Sequence, residues 1–174
     1  PGLRLIVAPR QLDRAEEISE LACSKGLTCG SRSKSEDLSG DEDVIVLDTL
    51  GELAKVYALA DVTFVGGSLI PRGCHSILQP IAQGKPVFFG PHTFKAKDLV
   101  AQAKSAGVGF QVADGTELGA RISEMLADDA LRVDIELRCA GMMEANRGAS
   151  KRTADALVSL YRDAVVSGLP GSAG

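Results

Sequence analysis

The segment from Gly66 to Pro80 has the residue types and spacing of a loop that binds an anion. It follows the apolar, β-branched run Val62–Val65, and its opening Gly-Gly-Ser lets the backbone turn tightly and approach a ligand. Ser76 precedes Gln79 by three residues, which is the spacing of a capping box that opens a helix. Free backbone N–H groups and the positive end of the helix dipole would then face the loop. An ordinary strand-to-helix loop has the same composition, so this segment alone leaves both interpretations open.

Short apolar runs alternate with longer helical patterns along the chain, and this alternation predicts an α/β fold. We expect a Rossmann-like, doubly wound parallel sheet of about six strands with helices on both faces. The strands are predicted near Leu3–Ala8, Leu27–Gly30, Val44–Leu47, Val62–Val65, Val87–Phe89 and Gly109–Val112. The helices are predicted at Arg14–Cys23, Thr49–Ala58, Asp114–Ala127, Ala130–Met143 and Ser150–Val166.

Two of these helices have side chains suited to a helix start. Thr49 and Glu52 have the Thr-x-x-Glu form of a capping box, and Asp114 is placed to act as an N-cap. By contrast, Arg32–Asp43 is polar and charged with almost nothing to bury, which predicts a mobile loop.

The composition is that of an ordinary globular domain, with 45% hydrophobic and 24% charged residues. The net charge of −4 argues against nucleic acid as a partner, because nonspecific binding to phosphates requires a basic surface. No apolar run approaches the roughly 20 residues that span a bilayer, and the chain opens without the pattern of a signal peptide. Its four scattered cysteines are expected to be reduced intracellular thiols. We expect one domain over residues 1–167 and a flexible tail over residues 168–174.

Ligands of a doubly wound sheet bind beyond the carboxyl ends of its strands, so the residues that follow each strand are the candidates for a site. Arg10 follows the first predicted strand, Asp48–Leu53 follows the third, and His92 follows the fifth. A guanidinium can pair with a phosphate, and backbone donors can share its charge. These residues together suit an anionic nucleotide, and no carboxylate cluster suggests a metal ion.

Four segments of the chain are informative in combination. They read Ala-Pro-Arg at 8–10, Asp-Thr-Leu-Gly-Glu-Leu at 48–53, Ala-Asp-Val-Thr-Phe-Val-Gly-Gly-Ser-Leu at 60–69 and Gly-Lys-Pro-Val-Phe-Phe-Gly-Pro-His-Thr-Phe at 84–94. In this order the segments resemble the Kdo transferases. These are GT-B glycosyltransferases that move 3-deoxy-D-manno-octulosonic acid (Kdo) from CMP-Kdo onto the lipid A precursor. The likeness covers Leu3–Lys151 and corresponds to the C-terminal, donor-binding half of such an enzyme.

The resemblance implies three places that contact the CMP portion of the donor. The Pro-Arg pair makes Arg10 a ligand of the phosphate or the cytidine. Leu-Gly-Glu at 50–52 matches the family's Met-Gly-Glu, and Ser-Ile-Leu-Gln at 76–79 matches its Asn-Pro-Leu-Glu. The implied donor-binding residues are Pro9, Arg10, Leu50, Gly51, Glu52, Ser76, Ile77, Leu78 and Gln79, with Gly66, Gly67, Ser68 and His75 as possible members of the donor loop.

The chain departs from the family at Ser76 and Gln79, where the family has asparagine and glutamate. In GT-B enzymes the acidic residue of this helix typically holds the ribose hydroxyls. Gln79 offers a neutral amide oxygen instead, which is a weaker acceptor than a carboxylate by about a factor of two.

The resemblance also implies an inverting transfer, in which CMP leaves as an acceptor hydroxyl attacks the anomeric carbon. Arg10 and fixed backbone donors would stabilise charge on the departing phosphate, with no metal or other cofactor. No catalytic residue is expected in this chain, since the family's base is a glutamate of the N-terminal half, and the isolated domain should be inactive. That half would supply contact with the lipid A precursor and with the membrane. The expected location is the cytoplasmic face of a bacterial inner membrane, or a mitochondrion or plastid of a plant or alga.

Two alternative functions remain open at this point. A noncatalytic or degenerate nucleotide-binding module would account for Ser76 and Gln79. A GT-B transferase could also use another nucleotide sugar, such as a UDP-sugar.

Overall fold

Strands and helices alternate in the computed structural model, which describes residues 2–166, with the backbone alone described at 35, 37, 149–153 and 164–166. The strands are β1 (Leu5–Val7), β2 (Cys29–Ser31), β3 (Val44–Val46), β4 (Thr63–Phe64), β5 (Val87–Phe89) and β6 (Gly109–Gln111). The α-helices are α1 (Ala15–Ser24), α2 (Leu53–Val56), α3 (Leu78–Ala82), α4 (Lys97–Ser105), α5 (Gly115–Ala127), α6 (Asp129–Asn146) and α7 (Ala149–Val166). Short 3₁₀ helices occupy Leu12–Arg14, Arg32–Asp37 and Tyr57–Leu59. The tail predicted at residues 168–174 lies outside the described residues.

The predicted α/β fold with parallel strands is confirmed, but the prediction of one sheet of about six strands is wrong. The six strands form two three-stranded parallel sheets, in the orders β1-β3-β2 and β4-β5-β6. The reason is the pairing: β1 and β2 both pair with β3, whereas β4 and β6 both pair with β5. The chain divides accordingly into two compact units, Pro1–Ala60 and Asp61–Gly174, with one sheet in each.

The first unit is built around β3, the central strand of its sheet. Val44 and Val46 are buried there, as is Leu47, which follows the strand. The helix α1 connects β1 to β2 and buries Ala22. Because all three strands run parallel, their carboxyl ends lie at one edge of the sheet.

The segment Arg32–Asp43, predicted to be a mobile loop with almost nothing to bury, contains a 3₁₀ helix at Arg32–Asp37 and the buried side chain of Glu42. Glu42 is only 7% exposed and accepts hydrogen bonds from Ser39 N at 2.6 Å, Ser39 Oγ at 2.9 Å and Gly40 N at 3.0 Å. A hydrogen bond from its own backbone N–H and those from Ser39 and Gly40 lower the pKa of Glu42 below its ordinary value of 4.5, while burial acts in the opposite direction. The carboxylate therefore stays charged at neutral pH and holds the turn at Ser39 and Gly40.

The second unit is built around β5, whose three residues are all fully buried. Helices α3, α4, α5 and α6 contribute apolar side chains to the same core, including the fully buried Ile135 and Cys139 of α6. The rings of Phe88 and Phe110 lie with their centroids 5.2 Å apart on neighbouring strands. The N-cap predicted at Asp114 is confirmed, since its carboxylate accepts from Thr116 N and Glu117 N.

A single buried hydroxyl joins the ends of β4 and β5. Ser68 is fully buried; its Oγ donates to Val65 O at 2.7 Å and accepts from Gly90 N at 2.8 Å. Gly90 is needed at this contact, since a Cβ atom at position 90 would lie 2.4 Å from Ser68 O and 2.7 Å from Leu69 N. The loops that follow the two strands are thus fixed to one another.

All four cysteines are free thiols. Over residues 2–166, no helix has the length and apolar character needed to cross a bilayer.

Gly90→Ala is expected to destabilise the protein by about 1–3 kcal/mol, because the added methyl group meets backbone atoms that cannot rotate away. Urea unfolding followed by far-ultraviolet circular dichroism would measure the loss. Gly119→Ala is the matched control, since position 119 lies within α5 with open space around it and alanine favours a helix by up to about 1 kcal/mol. An unchanged unfolding midpoint for Gly90→Ala would contradict the close contact.

The first unit should lose protection from hydrogen exchange as the pH falls below about 4.5. The folded pKa of Glu42 is depressed, so its contribution to stability is present above the unfolded pKa and is lost as the pH falls through the folded pKa. Exchange of the peptide spanning residues 28–46, corrected for intrinsic rates, would show this decline.

Glu42→Gln should lower protection already at pH 7 and make the decline shallower. Asp43, whose pKa is lowered by hydrogen bonds from Thr28, continues to titrate in that variant, so the difference between the two profiles reports Glu42. Glu20→Gln removes an exposed carboxylate from α1 and serves as the control. Identical pH profiles for Glu42→Gln and the unaltered protein would refute the assignment.

Candidate functional site

In the first unit, two of the predicted binding segments follow neighbouring strands. Pro9 and Arg10 follow β1, whereas 50–52 follows β3, which pairs with β1 in parallel. Leu47 N donates to Val7 O at 2.8 Å, so the segments that follow β1 and β3 leave the sheet side by side. Arg10 is exposed, and within the described part of the chain its side chain has no hydrogen-bond or ion-pair partner. Its guanidinium is available to an anion at this edge.

The loop after β3 is held by side chains that follow β2. Glu52 accepts a hydrogen bond from Thr49 Oγ1 and another from Arg32 Nη2 at 3.0 Å. Asp48 accepts from Ser33 N at 2.8 Å and from Ser33 Oγ. These contacts fix two carboxylates at the edge where Arg10 emerges.

Both carboxylates are ionised at neutral pH. The hydrogen bond from Thr49 lowers the pKa of Glu52; burial opposes it, and Arg32 adds to the lowering. Burial alone would raise the pKa of Asp48, but the hydrogen bonds from Ser33 outweigh it and the pKa lies below its ordinary value of 3.8.

The sequence interpretation missed Arg32 and Ser33 because they begin a segment that looked like a solvated loop. The available signal was their position directly after the second strand, where ligand-side residues of an α/β sheet are found.

The helix predicted to start at Thr49 starts later. Helix α2 begins at Leu53 with Glu52 as its N-cap, and Thr49 bonds the Glu52 carboxylate rather than a backbone N–H. Gly51 explains the shift: its φ of +84° is left-handed, so an α-helix cannot run through it. Leu50 is consequently 83% exposed on the turn, open to contact with a ligand.

In the second unit, the loop after β4 turns tightly at its glycines, as predicted. Gly67 has a φ of +79°, and a Cβ atom there would lie 2.7 Å from Gly73 O and 3.6 Å from the His75 ring. Gly66 and Gly67 are half-buried, and His75 is exposed. Ser68 differs, since its hydroxyl is fully buried and both of its hydrogen bonds go to the protein. Its side chain positions the loop and is not open to a ligand.

The capping box predicted at Ser76 and Gln79 is also wrong. Helix α3 spans five residues from Leu78, its N-cap is Ile77, and Ser76 Oγ reaches only Leu78 N at a long 3.4 Å. Pro80 explains why α3 starts at Leu78 and not directly after Ser76. If Ser76 were the N-cap, position 80 would have to donate the first helical hydrogen bond, and proline has no N–H.

Segment 76–79, which matches the family's Asn-Pro-Leu-Glu, contains one buried and three exposed residues. Ile77 is fully buried in the core, whereas Ser76, Leu78 and Gln79 are exposed. Contact of the Ile77 side chain with a ligand is therefore excluded. The other three remain predicted donor-binding residues.

The predicted residues form two groups in different compact units. Pro9 and Arg10 share an edge with 50–52 in the first unit. In the second unit, Gly67 lies close to His75, which the exposed residues Ser76, Leu78 and Gln79 follow along the chain. The first group offers an exposed cation at the same sheet edge as two hydrogen-bonded carboxylates, and the second offers hydroxyl, amide and backbone groups. Among the described residues, no group of three or more His, Cys, Asp or Glu could hold a metal ion. The chemistry on offer is binding and charge stabilisation.

Comparison with known proteins identifies several curated relatives named 3-deoxy-D-manno-octulosonic acid transferase, although no family model matches the chain. A 3-deoxy-D-manno-octulosonic acid transferase of Bordetella pertussis is 34% identical over 158 residues, covering 90% of this chain and 37% of the relative. A transferase of the same name from Aquifex aeolicus (strain VF5) is 35% identical over 126 residues, covering 72% of this chain and 34% of the relative. The chain therefore spans about a third of the length of these relatives.

A solved structure shows the same fold. The C-terminal CMP-Kdo binding domain of WaaA from Acinetobacter baumannii superposes with a TM-score of 0.76 at 28% identity, covering 81% of this chain and 74% of that one. Sequence and fold thus agree with the resemblance carried by the four segments. The chain belongs to the Kdo transferase family and corresponds to its C-terminal domain.

Proposed function

We propose that this chain is the donor-binding domain of a glycosyltransferase that moves Kdo from CMP-Kdo to a lipid A precursor in lipopolysaccharide biosynthesis. The observation that carries the proposal is the match, in both sequence and fold, to a domain described as binding CMP-Kdo. The two curated relatives described above are bacterial proteins named for Kdo transfer.

Arg10 is the residue to which we assign the phosphate of CMP. It is exposed at the carboxyl end of β1 and has no partner among the described residues, so an arriving phosphate displaces only water. A charge-assisted hydrogen bond of this kind is worth about 1.5–3 kcal/mol. Glu52 cannot take the same role, because it is an ionised acceptor already held by Thr49 and Arg32. It suits hydroxyl or amino donors of the nucleoside.

Gln79 is the residue to which we assign the ribose. Its side chain is exposed in the first turn of α3, and its amide oxygen can accept one hydrogen bond from a hydroxyl group. Leu50, 83% exposed, supplies apolar surface in place of the family's methionine.

The reaction step assigned to this chain is electrostatic. As the bond between the anomeric carbon and the phosphate oxygen breaks, negative charge grows on the phosphate oxygens, and the guanidinium of Arg10 stabilises it. The attacking hydroxyl, its base and contact with the lipid A precursor belong to further parts of a longer protein at the cytoplasmic face of the bacterial inner membrane. The proposal includes no metal ion or other cofactor.

A second candidate function is a noncatalytic nucleotide-binding module. Ser76 and Gln79 favour it, because they replace the asparagine and glutamate of the family with a shorter side chain and an uncharged acceptor. A donor site weakened in this way could retain nucleotide binding without turnover.

Arg10→Ala is expected to weaken CMP binding by about 10- to 100-fold, the loss of one charge-assisted hydrogen bond. Isothermal titration calorimetry with CMP measures it directly. Arg4→Ala is the control, because it also removes one positive charge from the first unit, but from a residue that precedes β1 and pairs with Asp41.

UMP and UDP titrated in the same series test the identity of the donor. Tighter binding of UDP than of CMP would overturn the Kdo assignment in favour of a UDP-sugar. Equal CMP affinity for Arg10→Ala and Arg4→Ala would remove Arg10 from the site.

The double substitution Ser76→Asn with Gln79→Glu is expected to raise CMP affinity by about tenfold, because a carboxylate accepts the ribose hydroxyls more strongly than an amide does. Gln83→Glu adds the same charge at the other end of α3 and is the matched control. A gain that appears equally in both variants would reflect net charge alone. No gain in either would favour the noncatalytic module.

A further inference from the structure

A guanidinium and a carboxylate meet at the carboxyl edge of the sheet in the first unit. Arg32 directly follows β2, and Glu52 lies on the segment that follows β3, the central strand of that sheet. Arg32 Nη2 donates to Glu52 Oε1 at 3.0 Å. Both side chains are partly open to solvent, with 44% of the Arg32 side chain and 35% of the Glu52 side chain exposed. A ligand at this edge can therefore reach both.

Both side chains keep hydrogen-bonding capacity after they have paired. A guanidinium has several N–H donors, and within the part of the chain that the structure describes, the Arg32 side chain uses them only toward Glu52. Glu52 accepts from Arg32 through one oxygen and from Thr49 through the other, and each carboxylate oxygen has room for a second hydrogen bond. The pair thus leaves a donor beside an acceptor.

The charges of the two side chains balance, and this decides what the pair can hold. Glu52 is ionised at neutral pH, because the hydrogen bond from Thr49 lowers its pKa; burial opposes this, and Arg32 and Lys55 add to the lowering. A phosphate would gain little here, since its attraction to Arg32 is offset by repulsion from Glu52. A neutral group with a donor beside an acceptor fits better. The Watson–Crick edge of cytosine is such a group, with the N4 amino group beside the N3 acceptor.

We infer that Arg32 and Glu52 together read the base of the nucleotide and make the domain selective for cytosine over uracil, an inference that rests on the proposed function. Glu52 accepts from the N4 amino group, a pairing that proteins also use to recognise cytosine in DNA, and Arg32 donates to N3. Uracil presents the reverse pattern, an O4 acceptor beside an N3–H donor. It would set an oxygen against the carboxylate and an N–H group against the guanidinium.

The neighbouring carboxylate of Asp48 does not offer this pattern. Ser33 donates to Asp48 with both its backbone N–H and its hydroxyl group. Neither donor of Ser33 is left for a base, so this contact presents acceptors alone. The spare donors of Arg32 are what distinguish the pair that it forms with Glu52.

The test compares CMP with UMP as calorimetric ligands, because the two share ribose and phosphate and their affinity ratio reports the base. The unaltered chain should bind CMP about tenfold or more tighter than UMP. Arg32→Met keeps an unbranched side chain and removes the donors. It should lower CMP affinity by about tenfold and leave UMP affinity unchanged or higher.

Glu52→Gln is the second variant, since an amide can turn its NH2 group toward uracil O4. It should raise UMP affinity and bring the ratio of the two affinities close to one. A variant with a damaged fold would lose affinity for both nucleotides, so a gain for UMP separates base recognition from support of the loop. Far-ultraviolet circular dichroism checks that the fold is retained.

Arg4→Met is the matched control. It also breaks an exposed ion pair of the first unit, in which Arg4 Nη2 lies 3.3 Å from Asp41 Oδ1. Arg4 precedes β1, however, and so lies at the amino edge of the sheet. The affinity ratio of this variant should equal that of the unaltered chain.

An equal fold loss for CMP and UMP in Arg32→Met would overturn the inference, because Arg32 would then support the ribose site or the loop. A ratio near one in the unaltered chain would overturn it as well and leave the proposed function standing. Failure of the unaltered chain to bind CMP would instead refute the proposed function, and the inference with it.

Discussion

The ligand-side surface of the second unit depends on the hydroxyl of Ser68. It is fully buried, donates to the end of β4 and accepts from the start of the loop after β5. A buried polar group left without its partner costs about 1–3 kcal/mol, so loss of this oxygen would affect both strands at once. The backbone oxygen of Ser68 also holds His92, which in turn holds Cys74. One short side chain therefore sets the relative position of two loops that are far apart in sequence.

The first unit uses carboxylates for two different purposes. Glu42 is buried, and its carboxylate accepts hydrogen bonds from the backbone N–H groups of Ser39 and Gly40 in the turn that precedes it. Glu52 lies at the carboxyl edge of the first sheet and is oriented by Thr49 and Arg32. A side chain that is oriented before a ligand arrives loses little conformational entropy on binding, so hydrogen bonds from neighbouring side chains can support a binding site. The resemblance assigned Glu52 to the site; the structure adds Arg32 and Thr49 as the residues that position it.

Strand positions were predictable from the sequence, whereas sheet membership and helix starts were not. Val87–Phe89 is a short apolar run between turn residues, and the strand occupies those three residues. Strand pairing depends on residues far apart in the chain, so no local sequence pattern predicts the division into two sheets.

The predicted capping boxes failed for a related reason. The pattern Thr-x-x-Glu is local, but the left-handed Gly51 and the missing N–H of Pro80 decide where each helix can begin. Likewise, Arg32–Asp43 looked solvated because composition cannot show that Glu42 is enclosed.

The burial pattern around Ile77 has a consequence for how such a domain can change over evolution. Ile77 is anchored in the core, while its neighbours Ser76 and Gln79 face solvent and are not needed for packing. Substitutions at the two exposed positions alter the chemistry offered to a ligand at little cost to folding, whereas Ile77 keeps the turn in place. The two exposed positions can therefore change without disturbing the packing that Ile77 provides.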